Sequence, residues 1–268
     1  MIRLGAVGYL NARPLVYDLD RNLRFQVRYD LPSECARLLH AHEIDLGLIP
    51  SIEYLRGPSP YGIVLGAGVT SKGPVKSVAL YTRREPHDIR TVAMDTSSRT
   101  SVALVTILLS RTYKLVIEPV VMAPNLDLML ERADAALVIG DVALFLDHEA
   151  AGVQKIDLGE AWTAATGLPF VYALWAGWPH AVTPEDVGAL LSARNAGVAH
   201  VDEIAAEHAP GDSARQSMIS RYLRDNIGYR LDGEAEEGLK TFYSYATELG
   251  LATYDGELRI YHADYGAY

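Results

Sequence analysis

The stretch Thr91-Val-Ala-Met-Asp-Thr-Ser-Ser-Arg-Thr-Ser101, followed by Val102-Ala-Leu-Val-Thr-Ile-Leu-Leu109, decides the fold of this chain. An apolar, partly β-branched run ends at Met94, hydroxyl side chains follow, and apolar residues then recur at helical spacing. This order predicts a strand, a tight turn and a helix over about Ser98–Tyr113, with Ser97 or Ser98 as the N-cap.

The predicted turn also has the composition of an anion site. The first N–H groups of a helix have no internal partner, and the helix dipole makes that end electropositive. Ser97, Ser98, Arg99 and Thr100 add hydroxyls and a guanidinium there, which suits a carboxylate or a phosphate. A well-capped helix with Arg99 on the surface is the alternative interpretation.

Composition excludes several classes of protein. The formal net charge is −10 and no basic run is present, which argues against a nucleic-acid binder. No apolar segment approaches the ~20 residues of a membrane helix. Cys35 is the only cysteine, which excludes an intramolecular disulfide and a Cys-rich metal site. The first residues lack a signal-peptide pattern, so we expect a cytoplasmic protein.

Strands alternate with short helices along the first two thirds of the chain, which predicts an α/β protein with largely parallel sheets. Asn11 follows the predicted strand Ile2–Val7 and precedes a helix predicted from Pro14 to about Asp20. Ser51 follows the predicted strand Ile44–Ile49. Ligands of open α/β sheets bind at this carboxyl edge. A turn or cap role is the alternative for Asn11.

A second series of strands and helices begins at Thr91 and includes a predicted helix, Leu126–Arg132. Gly140 and Asp141 follow the predicted strand Ala135–Ile139. Gly140 permits close approach of the backbone, and Asp141 faces the same edge as Ser97 if the sheet is parallel. Asp141 could equally be a carboxylate favoured by a helix dipole.

The two series predict two lobes around a cleft, with hinge crossings near Arg83–Arg90 and Trp175–Pro179. Lobe one is residues 1–84 plus 178–268, and lobe two is residues 85–177. Predicted helices Thr183–His208, Ser213–Asn226 and Glu234–Leu249 complete lobe one. The cleft would bring together Asn11, Ser51, Ser71, Lys72, Ser97–Ser101, Gly140 and Asp141. Lys72 could point into this cleft or into water.

Familiar catalytic motifs are not found in the sequence. It contains no Gly-x-Ser-x-Gly, no phosphate-binding Walker loop and no His-Glu-x-x-His. His40 and His42 do not share a helix face, and the other histidines have no metal-ligand spacing. The residues alone therefore predict a cleft that binds a small anion.

Seven motifs occur in an order that resembles one family. They are Gly8-Tyr-Leu-Asn-Ala-Arg-Pro-Leu15, Leu48-Ile-Pro-Ser-Ile-Glu-Tyr54, Lys72-Gly-Pro-Val-Lys-Ser-Val78, Asp95-Thr-Ser-Ser-Arg-Thr-Ser101, Leu137-Val-Ile-Gly-Asp141, Asp157-Leu-Gly-Glu-Ala-Trp162 and Thr166-Gly-Leu-Pro-Phe-Val-Tyr172. Together they resemble the chorismate dehydratases of the futalosine route to menaquinone (the MqnA family). The match extends from the first strand to about Trp178.

The resemblance implies a periplasmic-binding-protein-like type II fold, in which two α/β lobes enclose a central cleft. It also implies a hydro-lyase that removes water from chorismate to give 3-[(1-carboxyvinyl)oxy]benzoate. Because aromatisation drives this elimination, neither a metal nor a redox cofactor is chemically required. The expected partner is a small dianion, while the sequence does not indicate an oligomeric state.

Under this resemblance, Ser97, Ser98, Arg99 and Thr100 are expected to hold one substrate carboxylate. Asn11 is expected at the catalytic position, where its amide orients the departing hydroxyl or stabilises developing charge. The other expected cleft residues are Ser51, Ser71, Lys72, Ser77 and Gly140. The proton acceptor is either Asp141 or the enolpyruvyl carboxylate of the substrate, and we favour the substrate carboxylate.

Two other functions share the architecture. A non-catalytic receptor for small anions is one, but such a receptor carries a signal peptide when secreted. The sister menaquinone enzyme that acts on cyclic dehypoxanthine futalosine is the other. Its family begins with Ser-Pro-Cys-Pro-Asn-Asp, where this chain has Gly8-Tyr-Leu-Asn11.

Overall fold

A computed structural model describes residues 1–95 and 97–261 of the chain. The last seven residues of the chain, His262 to Tyr268, lie outside the described residues. Ten strands are found in the described part: β1 (Ile2–Val7), β2 (Phe25–Asp30), β3 (Leu46–Pro50), β4 (Gly62–Ser71), β5 (Val78–Thr82), β6 (Thr91–Asp95), β7 (Glu118–Met122), β8 (Ala135–Ile139), β9 (Gln154–Asp157) and β10 (Phe170–Gly177).

The strands form two five-stranded mixed sheets, one in each lobe. The first has the order β2-β1-β3-β10-β4, and the second has the order β7-β6-β8-β5-β9. In the first sheet β1 is parallel to β2 and β3, whereas β10 is antiparallel to β3 and β4. In the second, β6 is parallel to β7 and β8, whereas β5 is antiparallel to β8 and β9. The sheets are therefore mixed rather than largely parallel.

The two positions at which the chain crosses between the lobes each lie one strand away from where they were predicted. The predicted boundaries put β5 in lobe one (residues 1–84 plus 178–268) and β10 in lobe two (residues 85–177). Instead, β5 pairs inside the second sheet and β10 pairs inside the first. Both strands are apolar and buried, and such a run carries no local signal of the sheet that it will join.

The helices of the described residues surround these sheets. They are α1 (Pro32–His40), α2 (Arg99–Tyr113), α3 (Leu126–Arg132), α4 (Gly140–Phe145), α5 (Leu158–Thr166), α6 (Pro184–Ala199), α7 (Val201–His208), α8 (Ser213–Asp225) and α9 (Gly233–Glu248). No helix among them is long and apolar enough to cross a membrane.

Two helix predictions need correction. The predicted helix Thr183–His208 is broken at His200, which leaves α-helical geometry and joins α6 to α7. Its predicted start is confirmed, because Thr183 and Asp186 form a reciprocal capping box. The helix predicted from Pro14 is a 3₁₀ helix, Leu10–Val16, so Asn11 lies within a helical turn rather than ahead of one.

Among the described residues, a large apolar cluster extends through both lobes, and a smaller separate one lies in the second lobe. The largest side chains that are fully buried include Trp162, Trp175, Tyr61 and Tyr222. Helix α6 packs against the 3₁₀ helix Leu10–Val16 and against β4, while α9 packs against β10. This packing fixes the segment that carries Asn11 on the first sheet.

Candidate active site

A cavity with about 500 Å³ of empty space lies between the lobes. Its wall includes Val7, Tyr9, Asn11, Ala12, Pro32, Leu48, Pro50, Val69, Val78, Ser98, Arg99, Thr100, Ser101, Ile139, Gly140, Tyr172 and Ala173. The cavity thus has an apolar body with polar groups gathered at the start of α2.

The turn before α2 is organised by a buried carboxylate. Oδ1 of Asp95 accepts hydrogen bonds from the backbone N–H of Ser97 at 2.8 Å and from its Oγ at 2.7 Å. Because a serine hydroxyl has one proton, Ser97 donates to Asp95 and can only accept elsewhere. Its Oγ lies 3.4 Å from the hydroxyl of Tyr9, which is in the other lobe. Ser97 therefore shapes the turn and is not free to donate to a ligand.

Thr100, in the first turn of α2, also contacts the first lobe. Its Oγ1 accepts the backbone N–H of Ile52 at 3.2 Å and lies 3.4 Å from Oγ of Ser51. Ser51 donates its own proton to the carbonyl oxygen of Val171 at 2.7 Å. Both hydroxyls are buried and engaged with protein groups. The contacts of Ser51 and Thr100 therefore join the lobes at one wall of the cavity.

Arg99 combines access to the cavity with a buried counter-ion. Its side chain is 48% exposed, and Nη1 lies 3.9 Å from Oε1 of Glu53, whose side chain is 3% exposed. Burial acts to raise the pKa of Glu53, but hydrogen bonds from His40 and Arg56 outweigh it and leave the pKa below its usual value. The carboxylate of Glu53 thus faces Arg99 from the first lobe.

Asn11 lines the cavity from the first lobe, and its neighbour Leu10 contacts the second. The backbone N–H of Leu10 donates to Oδ1 of Asp141 at 3.1 Å. Burial raises the pKa of Asp141, partly offset by this hydrogen bond. The parallel pairing of β6 with β8 places Asp141 at the same edge as Ser97, as predicted. Asp141 is not among the described residues that line the cavity.

Gly140 is the point where the second lobe touches the Tyr9 ring. It has φ +66°, and an added Cβ would lie 3.1 Å from three atoms of that ring. Its N–H donates to the carbonyl oxygen of Ser77 at 2.8 Å. The buried Ser77 hydroxyl in turn accepts from Tyr222 at 2.7 Å. Ser77 therefore supports Gly140 from behind the cavity wall.

Two other predicted residues lie away from the cavity surface. Ser71 is buried and lies 2.9 Å from the hydroxyl of Tyr172, so it supports a wall residue rather than forming the wall. Lys72 pairs with Glu234 and lines a separate groove. The predicted residues that the structure brings together around the cavity are Asn11, Ser98, Arg99, Thr100, Ser101 and Gly140.

Sequence reasoning did not single out the two aromatic walls, Tyr9 and Tyr172. Tyr9 lies two residues after the end of β1, at the same carboxyl edge as Asn11, and this position could have identified it as a wall residue. Tyr172 lies inside the apolar run of β10, where nothing local distinguishes it from a core residue. Burial raises the pKa of both phenols, so both are neutral donors at neutral pH.

The arrangement is suited to an anion with an apolar body. The side chain of Arg99 and the first N–H groups of α2 offer positive potential at one end of the cavity. Within residues 1–95 and 97–261, no group of three or more His, Cys, Asp or Glu side chains could hold a metal ion.

Comparisons with known proteins agree with this description. Residues 2–248 match the model of a family described as menaquinone biosynthesis. A curated relative is the chorismate dehydratase of Thermus thermophilus, which is 31% identical over 270 residues. That alignment covers 92% of this chain and 95% of the relative.

Two solved structures support the fold. Protein AF1704 from Archaeoglobus fulgidus superposes with a TM-score of 0.72 at 20% identity, covering 93% of this chain and 98% of that one. The Candida albicans CA3427 gene product superposes with a TM-score of 0.62 at 10% identity, covering 98% of each chain. The latter is described as having the generic periplasmic binding protein fold, and the expected two-lobed fold of this type is confirmed.

Proposed function

This chain belongs to the menaquinone-biosynthesis family, and we propose that within it the protein is a chorismate dehydratase. The relative from Thermus thermophilus carries that name at 31% identity over nearly the whole chain. The observation that carries the proposal beyond the family is the cavity, where Asn11 from one lobe meets the start of α2 from the other.

The substrate fits the chemistry of the cavity. Chorismate has two carboxylates and an apolar ring, and the cavity combines apolar walls with the N-terminal end of α2. We assign one carboxylate to the first N–H groups of α2, with Ser98 and Arg99 as side-chain partners. Ser97 and Thr100 take part indirectly, because their contacts hold this turn in place.

The reaction is an elimination that needs little from the protein. The ring carbon bearing the enolpyruvyl ether loses its proton, and the electron pair of that C–H bond becomes a ring double bond. The C–O bond to the neighbouring hydroxyl breaks, and hydroxide leaves as water after it takes up a proton. Asn11 is assigned to the departing hydroxyl, where its amide donates a hydrogen bond as charge develops.

The enolpyruvyl carboxylate of the substrate is our choice of proton acceptor. It is tethered beside the ring carbon, so the transfer is intramolecular and gains from proximity. Asp141, the alternative, directs Oδ1 at the backbone N–H of Leu10. The protein then contributes binding, orientation and hydrogen-bond donation, in a cytoplasmic hydro-lyase that uses no cofactor.

The proposal is tested with purified protein and chorismate, following the ultraviolet change as a benzoate forms. The wild-type protein is expected to turn over, and Asn11→Ala to lose about 10²–10³ in kcat while still binding chorismate in calorimetry. Asn125→Ala is the matched control, because Asn125 caps α3 away from the cavity. Binding without turnover by the wild type would instead indicate a receptor, and near-normal turnover by Asn11→Ala would remove Asn11 from the mechanism.

A further inference from the structure

The segment that carries Asn11 is held by both lobes at once. Its residues belong to the first lobe, yet two consecutive ones bond to the second. The Tyr9 hydroxyl lies 3.4 Å from Oγ of Ser97, and the Leu10 N–H donates to Oδ1 of Asp141 at 3.1 Å. Asn11 is the next residue along and faces the cavity.

These two contacts depend on the lobes being together. Ser97 follows β6 and Asp141 follows β8, and both strands belong to the second sheet. Movement of one lobe away from the other about the hinge crossings, the usual motion of this architecture, would break both bonds. The segment would then keep only its contacts within the first lobe.

We propose that Asp141 is a positioning residue that couples closure of the lobes to the placement of the Asn11 amide. Its carboxylate accepts the N–H one residue before Asn11 and so fixes the backbone from which that amide projects. This inference rests on the proposed dehydratase function and replaces the role of proton acceptor that the sequence left open for Asp141.

The hydrogen bond between the Leu10 N–H and Asp141 is of a strong type. An ionised carboxylate that accepts a backbone N–H forms a charge-assisted hydrogen bond. Asparagine at the same position retains a carbonyl oxygen that can accept the same N–H, whereas alanine retains none. If Asp141 were instead the catalytic base, both variants would lose activity, because neither asparagine nor alanine can accept a proton from the substrate.

The experiment compares Asp141→Ala with Asp141→Asn in the full chain. If Asp141 positions Asn11, Asp141→Ala lowers kcat by about 10-fold to 100-fold, and Asp141→Asn stays within about threefold of wild type. KM changes by less than about threefold in both, because the start of α2 that binds the substrate is intact. Equal and severe loss of kcat in both variants would overturn the proposal and identify a base.

A matched control removes a similar contact inside one lobe. Asp134 accepts the backbone N–H groups of Arg90 and Thr91, and all three residues lie in the second lobe. Asp134→Ala is expected to lower the melting temperature while kcat stays near wild type. A rise in KM with unchanged kcat for Asp141→Ala would also contradict the proposal, since the contact would then serve binding alone.

Hydrogen exchange separates this inference from the proposed function. The Leu10 amide is expected to be protected in the wild type and in Asp141→Asn, and to exchange faster in Asp141→Ala but not in Asp134→Ala. This readout requires no turnover, so it holds even if chorismate proves not to be the substrate. Unchanged protection of Leu10 in Asp141→Ala would refute the positioning contact itself.

Discussion

Substitution of Gly140 by alanine is the most direct test of the cavity wall. Gly140 has φ +66° and lies against the Tyr9 ring, where an added Cβ would approach three ring atoms to 3.1 Å. Because Tyr9 lines the cavity and its hydroxyl reaches Ser97, a movement of the ring alters both the cavity wall and that contact. One methyl group therefore tests backbone conformation and wall geometry together.

The expected magnitude has two parts. A left-handed conformation costs a residue with a Cβ about 1–2 kcal/mol, which lowers the melting temperature by about 2–8 °C in a chain of this size. The 3.1 Å contact requires the Tyr9 ring to move by a few tenths of an ångström. Since a misplacement of about 1 Å can cost about 10²-fold in rate, we expect a fall of about tenfold in kcat/KM.

Gly152 provides the matched control for this substitution. It lies in the second lobe with φ +64°, and no atom lies within 4 Å of the position of its Cβ. Gly152→Ala should therefore lose similar stability in thermal unfolding and keep the wild-type kcat/KM for chorismate. Full activity in Gly140→Ala, or equal loss of activity in both variants, would refute the assignment of Gly140 to the wall.

Two further predictions concern charged residues. Because His40 and Arg56 lower the pKa of Glu53, its ionised form stabilises the fold above its unfolded pKa, and this stability is lost as the pH falls through the folded pKa. Glu53→Gln should accordingly be less stable than the wild type near neutral pH. Thermal unfolding should show this difference in stability becoming smaller below about pH 4.5. A difference that does not change with pH would contradict this prediction. Lys72→Ala removes an exposed ion pair with Glu234 that lines a separate groove, so stability should change by no more than about 1 kcal/mol and kcat/KM by less than twofold. A large fall in kcat/KM would contradict this prediction and indicate that Lys72 contacts the substrate.

Local elements were predictable where one short pattern determines them. The predicted bounds of α3 (Leu126–Arg132) and β8 (Ala135–Ile139) are those of the structure. The start of α2 differs by one residue from its prediction. Turn chemistry and periodicity act within a few residues, so the sequence reports them directly.

The local sequence pattern could not predict which distant strands pair with each other. β10 has the apolar composition of any buried strand, and its place in the first sheet depends on antiparallel partners about 100 residues or more earlier in the chain. The same limit applies to the site. Sequence position indicated Ser97 and Thr100 as site residues. Only the structure shows that the Ser97 hydroxyl donates to Asp95 and that the Thr100 hydroxyl accepts the backbone N–H of Ile52.

The insertion of β10 between β3 and β4 has a consequence during synthesis on the ribosome. Pro50 ends β3 and Phe170 begins β10, so about 120 residues must emerge before the position between β3 and β4 can be filled. At about 5–20 residues per second, β3 waits roughly 6–24 s for its neighbour. All strands of the second sheet emerge in that interval, so the second lobe can fold first and the nascent first lobe is the part that needs protection from aggregation.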